Sequence, residues 1–494
     1  MALTSLITAA EGFPALERLA LGAREELFLS FRIFDPRTRL HSPEARDQGL
    51  ETWADLLTLV ARRGVRIRMV LSDFDPQFTS ELHRLAWASA SGFASAIDGD
   101  VQILCAPHGQ DVGPLWRWLL HFKIQRSIQT LRGEDPAELT PIQRKVLESG
   151  PILRPVTLHQ KCAVADSKDC IIGGLDVDER RYDTSDHNRP AEETWHDVSM
   201  QVTGDFAATL RAHLADTWNT ALECGAASVA QPAMPMDVSA SSRQTTDTRL
   251  VRTLSSPCQG FRVIEPKARI KEHEEVLIKA FDSARHSIYI ETQFLRHRPI
   301  ANAMAAAARR VPDLQCILVL PAEPDRVMFD GDRGWDARHA QALQLRALEI
   351  IRDAFGDRLS LIAPARPVSA PPGKARLFDA SPVYVHAKVT LIDDNFGMVG
   401  SANLNGRSMR ADTEASVLFR DTDTINDLRR RLAVKWLGDA AQTGDITRAN
   451  LWVETARANA NKAPEERDSF ALPFPFRRLR RFSRPLPILP SDIF

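Results

Sequence analysis

Several features that would narrow the function at once are missing from this chain of 494 residues. Its six cysteines include no C-x-x-C pair, so the sequence gives no sign of a zinc site. They are scattered through apolar runs, which favours reduced, buried thiols over disulfides. The cysteines are Cys105, Cys162, Cys170, Cys224, Cys258 and Cys316.

An excess of charge is also missing. The chain has 63 Lys and Arg against 64 Asp and Glu, so its overall charge gives no argument for nucleic acid as a partner. No apolar run approaches the ~20 residues of a membrane-spanning helix. The first 20 residues lack the basic segment and the long apolar segment of a signal peptide. We therefore expect a cytoplasmic protein or one bound peripherally to a membrane.

What the sequence does contain is one motif in two copies. HQKCAVADSKDCIIGGLDVDERRYD, which starts at His159, aligns without a gap on HAKVTLIDDNFGMVGSANLNGRS, which starts at His386. The matched pairs are His159 with His386, Lys161 with Lys388, Asp166 with Asp393, Gly173 with Gly400, Gly174 with Ser401 and Asp176 with Asn403. The constant offset of 227 residues indicates an internal duplication, and this repeat is too long for a solenoid array.

Each copy supplies half of a site for a phosphodiester. A histidine and a lysine two residues apart on a strand project from the same face. If the two faces meet, two ammonium groups can hold the phosphoryl oxygens while two imidazoles share the acid and base roles. Histidine is suited to this task because it titrates near pH ~6.5. The spacing is symmetric, so it does not decide which imidazole attacks the phosphorus.

Carboxylates near each motif are the next candidates. Asp166 and Asp393 complete the motifs and count as candidate catalytic residues, but each opens a turn-like stretch, which favours a structural role. Asp197 and Glu414 are better placed to orient the imidazoles, since a carboxylate on the far ring nitrogen fixes the tautomer.

The paired H-x-K-x4-D-x6-G-[SG]-x-[ND] motifs resemble those of the phospholipase D superfamily. GGLDVDERRYD, WHDVSMQVTG and IYIETQFL are similar to phospholipases D themselves. The resemblance implies hydrolysis of glycerophospholipids to phosphatidate and a free headgroup through a phosphohistidine, or transfer to another alcohol, without metal or cofactor. It implies His159 as nucleophile and His386 as acid and then base. It also implies that the phosphate is bound by Lys161, Lys388, Asn403, Ser401 and Gly174.

Asp176 departs from the motif, because the second copy has Asn403 at that position. An ionised Asp176 would repel a phosphate. GGLD does occur in first motifs of the phospholipase type, so the change is interpreted as a subfamily character.

Strands and helices alternate in both halves of the chain. Buried strands are predicted at 26–34 and 65–71, with a helix at 51–63 between them, and this order favours a parallel, helix-covered sheet. We expect an α/β fold with two similar α-β-α sandwich halves. Each half would have a mixed, mostly parallel sheet, and the two would pack as a pseudo-dimer.

The predicted domains are an N-terminal half at 1–224, a linker at 225–256, a C-terminal half at 257–445 and an extension at 446–494. The distance from strand to motif is 130 residues in the first half (29 to 159) and 96 in the second (290 to 386). We place the excess in an insertion at about 107–154. Trp118 and Phe122 there would face lipid or the core. The end of the extension, rich in Arg, Phe and Pro, is predicted to be irregular, and to dock on anionic headgroups or to lie over its own domain.

Other functions remain open at this stage. A cardiolipin synthase-like phosphatidyltransferase would use the same chemistry with another acceptor. A nuclease of the same superfamily is disfavoured by the near-neutral charge, and a non-catalytic binding protein by the intact motifs. The expected partner is a phospholipid at a membrane or micelle surface, with no nucleic acid. Because one chain holds both half-sites, a monomer suffices.

Overall fold

Each half of the chain forms one β-sheet. The computed structural model describes residues 2–106, 108–239, 247–257, 260–261, 266–486 and 494. The strands of the first half are β1 (Leu3–Ile7), β2 (Glu26–Phe31), β3 (Arg66–Ser72), β4 (Val101–Ala106), β5 (Cys162–Ala165), β6 (Asp169–Gly173) and β7 (Val198–Thr203). Those of the second half are β8 (Thr248–Ser256), β9 (Lys267–Lys271), β10 (Ser287–Glu291), β11 (Gln315–Val319), β12 (Leu359–Ser369), β13 (Ala380–Pro382), β14 (Val389–Ile392), β15 (Phe396–Gly400), β16 (Glu414–Phe419) and β17 (Ala471–Pro473).

Helices cover both sheets. Those of the first half are α1 (Thr8–Gly22), α2 (Pro43–Arg46), α3 (Trp53–Arg62), α4 (Ser80–Ala96), α5 (Pro114–Leu119), α6 (His121–Arg132), α7 (Pro141–Ser149) and α8 (Asp205–Glu223). Those of the second half are α9 (Glu272–Ser283), α10 (Arg298–Arg310), α11 (Asp325–Met328), α12 (Trp335–Phe355), α13 (Gly406–Arg410), α14 (Thr422–Leu437), α15 (Ala440–Thr443), α16 (Ala449–Ala460) and α17 (Phe476–Phe482). None of these helices combines the length and the apolar character needed to cross a membrane.

Both sheets are mixed, which confirms the predicted α/β fold. The strand orders are β1-β7-β6-β5-β2-β3-β4 and β13-β12-β11-β10-β14-β15-β16-β8-β9, with β17 beside β12. Among the strands named above, only β2-β3-β4 and β10-β11-β12 pair in parallel. The prediction that parallel pairs predominate is therefore wrong. The motif strands β5–β6 and β14–β15 are joined by tight turns, and a turn of this length permits only antiparallel pairing.

The two sheets pack against each other across a shared apolar core. Phe28, Val164 and Trp218 of the first half belong to the same buried cluster as Val389 and Trp436 of the second. Helices α8 and α14 contribute to this central core. Burial of apolar surface between the halves holds the duplicated units together as a pseudo-dimer, and it fixes where their two motifs meet.

Two predicted boundaries need correction. The linker predicted at 225–256 includes β8, which pairs with β16, and residues 229 and 231 donate backbone hydrogen bonds to the edge strand β4. Residues 240–246 lie outside the described residues. The predicted irregular end of the extension contains β17 and the short helix α17, although residues 487–493 are not described. Both segments have polar or proline-rich compositions typical of loops, and tertiary pairing overrides that preference.

The predicted insertion contains α5, α6 and α7. Thr140 caps α7 with Pro141 at its first turn, as the Thr-Pro pair indicates, and Gln143 completes a capping box. Ile124 and Ile128 of α6 are buried in a small apolar cluster with Val146 of α7. Residue 107 lies outside the described residues.

The cysteine prediction holds for most of the thiols. Cys105, Cys162, Cys170 and Cys316 are free and buried, whereas Cys224 is free and exposed. Cys258 lies outside the described residues.

Candidate active site

Backbone bridges between the two halves position the two histidines. The N–H groups of His159 and Gln160 donate to the carbonyl of Thr413 at 2.9 and 3.0 Å. In the mirror arrangement, the N–H groups of His386 and Ala387 donate to the carbonyl of His196 at 2.8 and 3.1 Å. Each histidine is therefore fixed by a strand of the opposite half.

The residue after each of those carbonyls is the carboxylate that contacts the imidazole. Nδ1 of His159 lies 3.0 Å from Oε2 of Glu414, and Nδ1 of His386 lies 2.6 Å from Oδ2 of Asp197. Both carboxylates are fully buried. The structure thus places Asp197 and Glu414 in the predicted orienting positions, and it pairs each one with the histidine of the other half. Among the described residues, neither Nε2 atom has a hydrogen-bond partner, so both remain available for substrate.

The lysines lie beside the histidines. The ammonium groups of Lys161 and Lys388 donate to the carbonyls of His159 and His386, respectively. Lys161 also lies 3.8 Å from Asp176. The lysine side chains are buried, as are the imidazole of His386 and most of that of His159. The four motif residues of the two halves therefore surround one small volume.

This concentration of buried cations shifts the ionisation of the site. Burial and the charges of Lys161 and Arg32 hold the pKa of His159 well below 6.5. Burial and the charge of Lys388 do the same for His386. Burial also lowers the pKa of Lys388 to about 7. A phosphodiester anion placed among these groups would favour the charged lysine and an imidazolium, and general acid catalysis requires the latter.

Burial disfavours the charged form of the orienting carboxylates as well. Burial and the nearby Asp412 raise the pKa of Glu414 to about 8, and burial raises that of Asp197. Lys161 and Lys388 oppose these shifts. In each imidazole–carboxylate pair, burial therefore disfavours both the imidazolium and the ionised carboxylate.

Asp176 is compensated by cations that the sequence analysis did not identify. Its carboxylate accepts the N–H of Ile33 at 2.9 Å and lies close to Lys161. Arg32 interacts electrostatically with Asp176 and lowers the pKa of both imidazoles. When β2 is aligned with β10 at Leu29 and Ile290, Arg32 corresponds to Gln293. The first half therefore has Arg32 and Asp176 at the positions of Gln293 and Asn403 in the second half. This alignment was available from the sequence.

The predicted phosphate ligands differ in their hydrogen bonds. Asn403 donates to Gln293 at 3.3 Å, and its other amide atom is buried without a partner among the described residues. Exchanging the amide nitrogen and oxygen would direct a free donor into that position. The predicted phosphate contacts of Ser401 and Gly174 stay predictions, because the donors of both residues are engaged within the protein: Ser401 donates its hydroxyl to Glu414, and Gly174 donates its N–H to Val198.

A glycine is needed at position 174 because a Cβ there would meet Oδ1 of Asp197 at 2.1 Å.

Asp166 and Asp393 do not take part in the site. Asp166 accepts the backbone N–H groups of residues 24, 25 and 26, and Asp393 accepts those of residues 285, 286 and 287, at 2.7–3.0 Å. Both have a positive φ in the turn after the motif strand, at the end opposite the lysine. Their catalytic assignment is therefore corrected to a structural one, in which each ties a hairpin turn to the start of the neighbouring strand.

Trp195 and His196 have separate roles. The Trp195 ring packs 4.8 Å from that of His386, and the guanidinium of Arg181 lies 3.9 Å from the centre of the Trp195 ring. His196 points into the core, where Nε2 lies 2.7 Å from Glu291. Trp195 is thus a wall of the site, and Arg181 adds a further cation that lowers the pKa of His386.

No cluster of three or more His, Cys, Asp or Glu side chains in the described part of the chain is arranged to hold a metal ion.

Comparisons with known proteins give the same family for this site. A family model described as cardiolipin synthase, PLD-like domain, matches residues 277–436. Phospholipase D1 of Saccharomyces cerevisiae is 23% identical over 348 residues, covering 54% of this chain and 20% of that protein. Cardiolipin synthase A of Pseudomonas putida is 24% identical over 291 residues, covering 58% and 48%. The chain thus spans less than half the length of either relative.

The fold has a counterpart among solved structures. The structure of phosphatidylserine synthase from Haemophilus influenzae superposes with a TM-score of 0.50 at 10% identity, covering 85% of this chain and 83% of that one. At this identity the likeness concerns the fold. The two intact motifs, the matching family model and the sequence relatives together support membership of this chain in the phospholipase D superfamily.

Proposed function

We propose that this protein cleaves glycerophospholipids to phosphatidate and a free headgroup. The observation that carries the proposal is the pair of imidazoles, each with Nδ1 against a buried carboxylate and Nε2 free. A nucleophile and a general acid are both needed at phosphorus, and two such dyads supply them.

The reaction would proceed in two displacements. Nε2 of His159 attacks phosphorus and forms an N–P bond while the P–O bond to the headgroup breaks, and imidazolium His386 gives its proton to the leaving alkoxide. His386 then takes a proton from water, whose oxygen attacks phosphorus and releases His159. The lysines and Arg32 stabilise the charge on the phosphoryl oxygens. The choice of His159 as nucleophile rests on the family resemblance.

Exposed apolar side chains support a substrate presented at a lipid surface. On α5 and α6, Trp118 is 71% exposed, Leu119 50% and Phe122 88%. We call these three residues the α5–α6 patch. Large apolar groups this exposed often mark an interaction surface, and the neighbouring Lys123 suits anionic headgroups.

The direct test is headgroup release from a panel of phospholipids in mixed micelles. The wild type should release headgroup, whereas His159→Ala and His386→Ala should each lose about three orders of magnitude or more, since each removes a reacting group. Release that is absent from the wild type, or unchanged in both variants, would contradict the proposal.

A phosphatidyltransferase is the second candidate, because both the matching family model and one relative are described as cardiolipin synthase. The chemistry is the same until an alcohol replaces water in the second displacement. Product analysis with phosphatidylglycerol or glycerol as acceptor separates the two. Cardiolipin or phosphatidylglycerol as the main product, with little phosphatidate, would favour transfer.

A further inference from the structure

A cavity of about 710 Å³ lies in the first half. Its charged residues are four arginines and three carboxylates: Arg32, Arg37, Arg180, Arg181, Asp35, Asp178 and Glu179. Of these, Arg32 and Arg181 form one end, and both lower the pKa of His386. Arg181 lies 3.9 Å over the Trp195 ring, and this ring packs 4.8 Å from that of His386, so this end of the cavity is close to the imidazole site. The volume of the cavity is in the range of ligand pockets, about 300–1,000 Å³.

The body of this cavity has an apolar wall, and Thr52 and Ser89 also line it. Helix α4 contributes Leu82, Leu85 and Ala86 from one face, as the spacing of three and four residues requires. Leu71 and Phe74, both buried, form the opposite wall. Leu85 is 53% exposed, which places an apolar side chain at the rim. One end thus suits a phosphate, and the body suits a hydrocarbon chain.

Arg32 points to the same kind of ligand. Its guanidinium lies 5.0 Å from the centre of the Phe74 ring, and no hydrogen bond or ion pair to its side chain occurs among the described residues. Asp176 interacts with this guanidinium electrostatically but without a hydrogen bond or ion pair between described atoms, so its N–H groups are available to an anion. The guanidinium lies where the phosphate end of the cavity meets the apolar wall.

The corresponding helix of the second half is α12, and its surface around Arg338 and His339 is not open. The chain's own C-terminal segment lies there instead: the N–H of Arg484 donates to the carbonyl of Arg338, and the N–H of Leu486 donates to His339. Phe494 packs its ring against His339 at 4.9 Å. The duplication therefore leaves the α4 face open to a ligand while the α12 face is covered by protein.

We propose that this cavity binds one acyl chain of the lipid whose phosphate occupies the imidazole site. That the natural ligand is a phospholipid substrate rests on the proposed function. The cavity itself would accept any single-chain amphiphile with a phosphate end.

Two serines on α4 give a matched test. Ser89 lines the cavity, whereas Ser91 is exposed on the same helix and is not part of the cavity wall. Ser89→Trp should block the cavity, and Ser91→Trp controls for adding an indole to α4. The probe is dodecyl phosphate, with inorganic phosphate as the chainless control, and binding is measured by calorimetry.

Dodecyl phosphate should bind the wild type and Ser91→Trp at least tenfold more tightly than Ser89→Trp, while inorganic phosphate binds all three alike. Equal binding of dodecyl phosphate to the three proteins, or no advantage of dodecyl phosphate over phosphate in the wild type, would overturn the inference.

Turnover then separates the two proposals. On dioctanoyl phosphatidylcholine, kcat/KM of Ser89→Trp should fall at least tenfold, with hydrolysis of bis(4-nitrophenyl) phosphate within twofold of wild type. Chain-dependent binding without any lipid cleavage by the wild type would leave the cavity assigned and reject the proposed function alone. Lipid cleavage that Ser89→Trp leaves intact would reject the cavity alone.

Discussion

Arg32 and Asp176 occupy, in the first half, the positions of Gln293 and Asn403 in the second. Arg32→Gln should lower kcat/KM for bis(4-nitrophenyl) phosphate by about 100-fold, because Asp176 then faces the phosphate with less compensation. The double variant Arg32→Gln/Asp176→Asn recreates the neutral pair of the second half, so it should recover to within about tenfold of wild type. Losses that simply add in the double variant would contradict this coupling.

Substitution of an orienting carboxylate should reduce activity, whereas substitution of a structural carboxylate should reduce stability. Asp197→Asn and Glu414→Gln should each lower kcat by about 10²–10⁴-fold, because the imidazole loses the partner that fixes its tautomer. Steady-state rates on a soluble diester give the measurement.

Asp166→Asn is the control for these variants. It should lower the melting temperature by several degrees with little change in kcat, since Asp166 only holds backbone N–H groups. A catalytic defect in Asp166→Asn at unchanged stability would return that residue to the active site.

Deprotonation of Lys388 should reduce activity at alkaline pH. Burial lowers its pKa to about 7, so the charged form that attracts phosphate is present below that pH and is lost as the pH rises through it. For bis(4-nitrophenyl) phosphate, whose charge is constant over this range, kcat/KM should fall above about pH 7. The fall in kcat should occur at a higher pH than the fall in kcat/KM, because the bound anion favours the charged form of the lysine.

In Lys388→Arg, which stays charged, the alkaline limb should disappear even if the rate is lower. A profile of kcat/KM that stays flat to pH 9 in the wild type would exclude this role for Lys388.

At the scale of the element, the inserted helices α5 and α6 have no counterpart in the second half, and they carry the exposed α5–α6 patch. Trp118→Ala/Phe122→Ala should weaken binding to phosphatidylglycerol-containing vesicles at least tenfold, because two large aromatic contacts with the lipid interface are lost. Sedimentation with vesicles measures this.

Met234→Ala is the matched control, since Met234 is 66% exposed on a different segment. It should bind vesicles like the wild type, and all variants should hydrolyse bis(4-nitrophenyl) phosphate at the wild-type rate. Vesicle binding unaffected by loss of the patch would show that these helices do not contact lipid.

For the whole molecule, the crossed contacts make the two halves one catalytic unit. His159 meets Glu414 and His386 meets Asp197 within one chain. An equimolar mixture of His159→Ala and His386→Ala should therefore stay inactive, because neither protein contains a complete pair of imidazoles. Recovery of activity on mixing would mean that halves of different chains assemble a site.

Features that depend on local residue pattern were predicted correctly from the sequence. The duplication identified both His–Lys pairs, and the α/β alternation predicted two similar halves. Local pattern failed where the outcome depends on a distant partner. Asp166 and Asp393 match the motif but bind backbone at the far end of the strand. Similarly, β8 and β17 form strands because they pair with β16 and β12, respectively.

By itself, the sequence determined that this chain has two copies of one His–Lys motif, with residue types suited to acid–base chemistry. Only the tertiary structure decided that each imidazole takes its carboxylate from the other copy. These partners are 255 and 189 residues apart. Contacts at such separations are set by the apolar core that packs the two sheets together, and no local spacing encodes them.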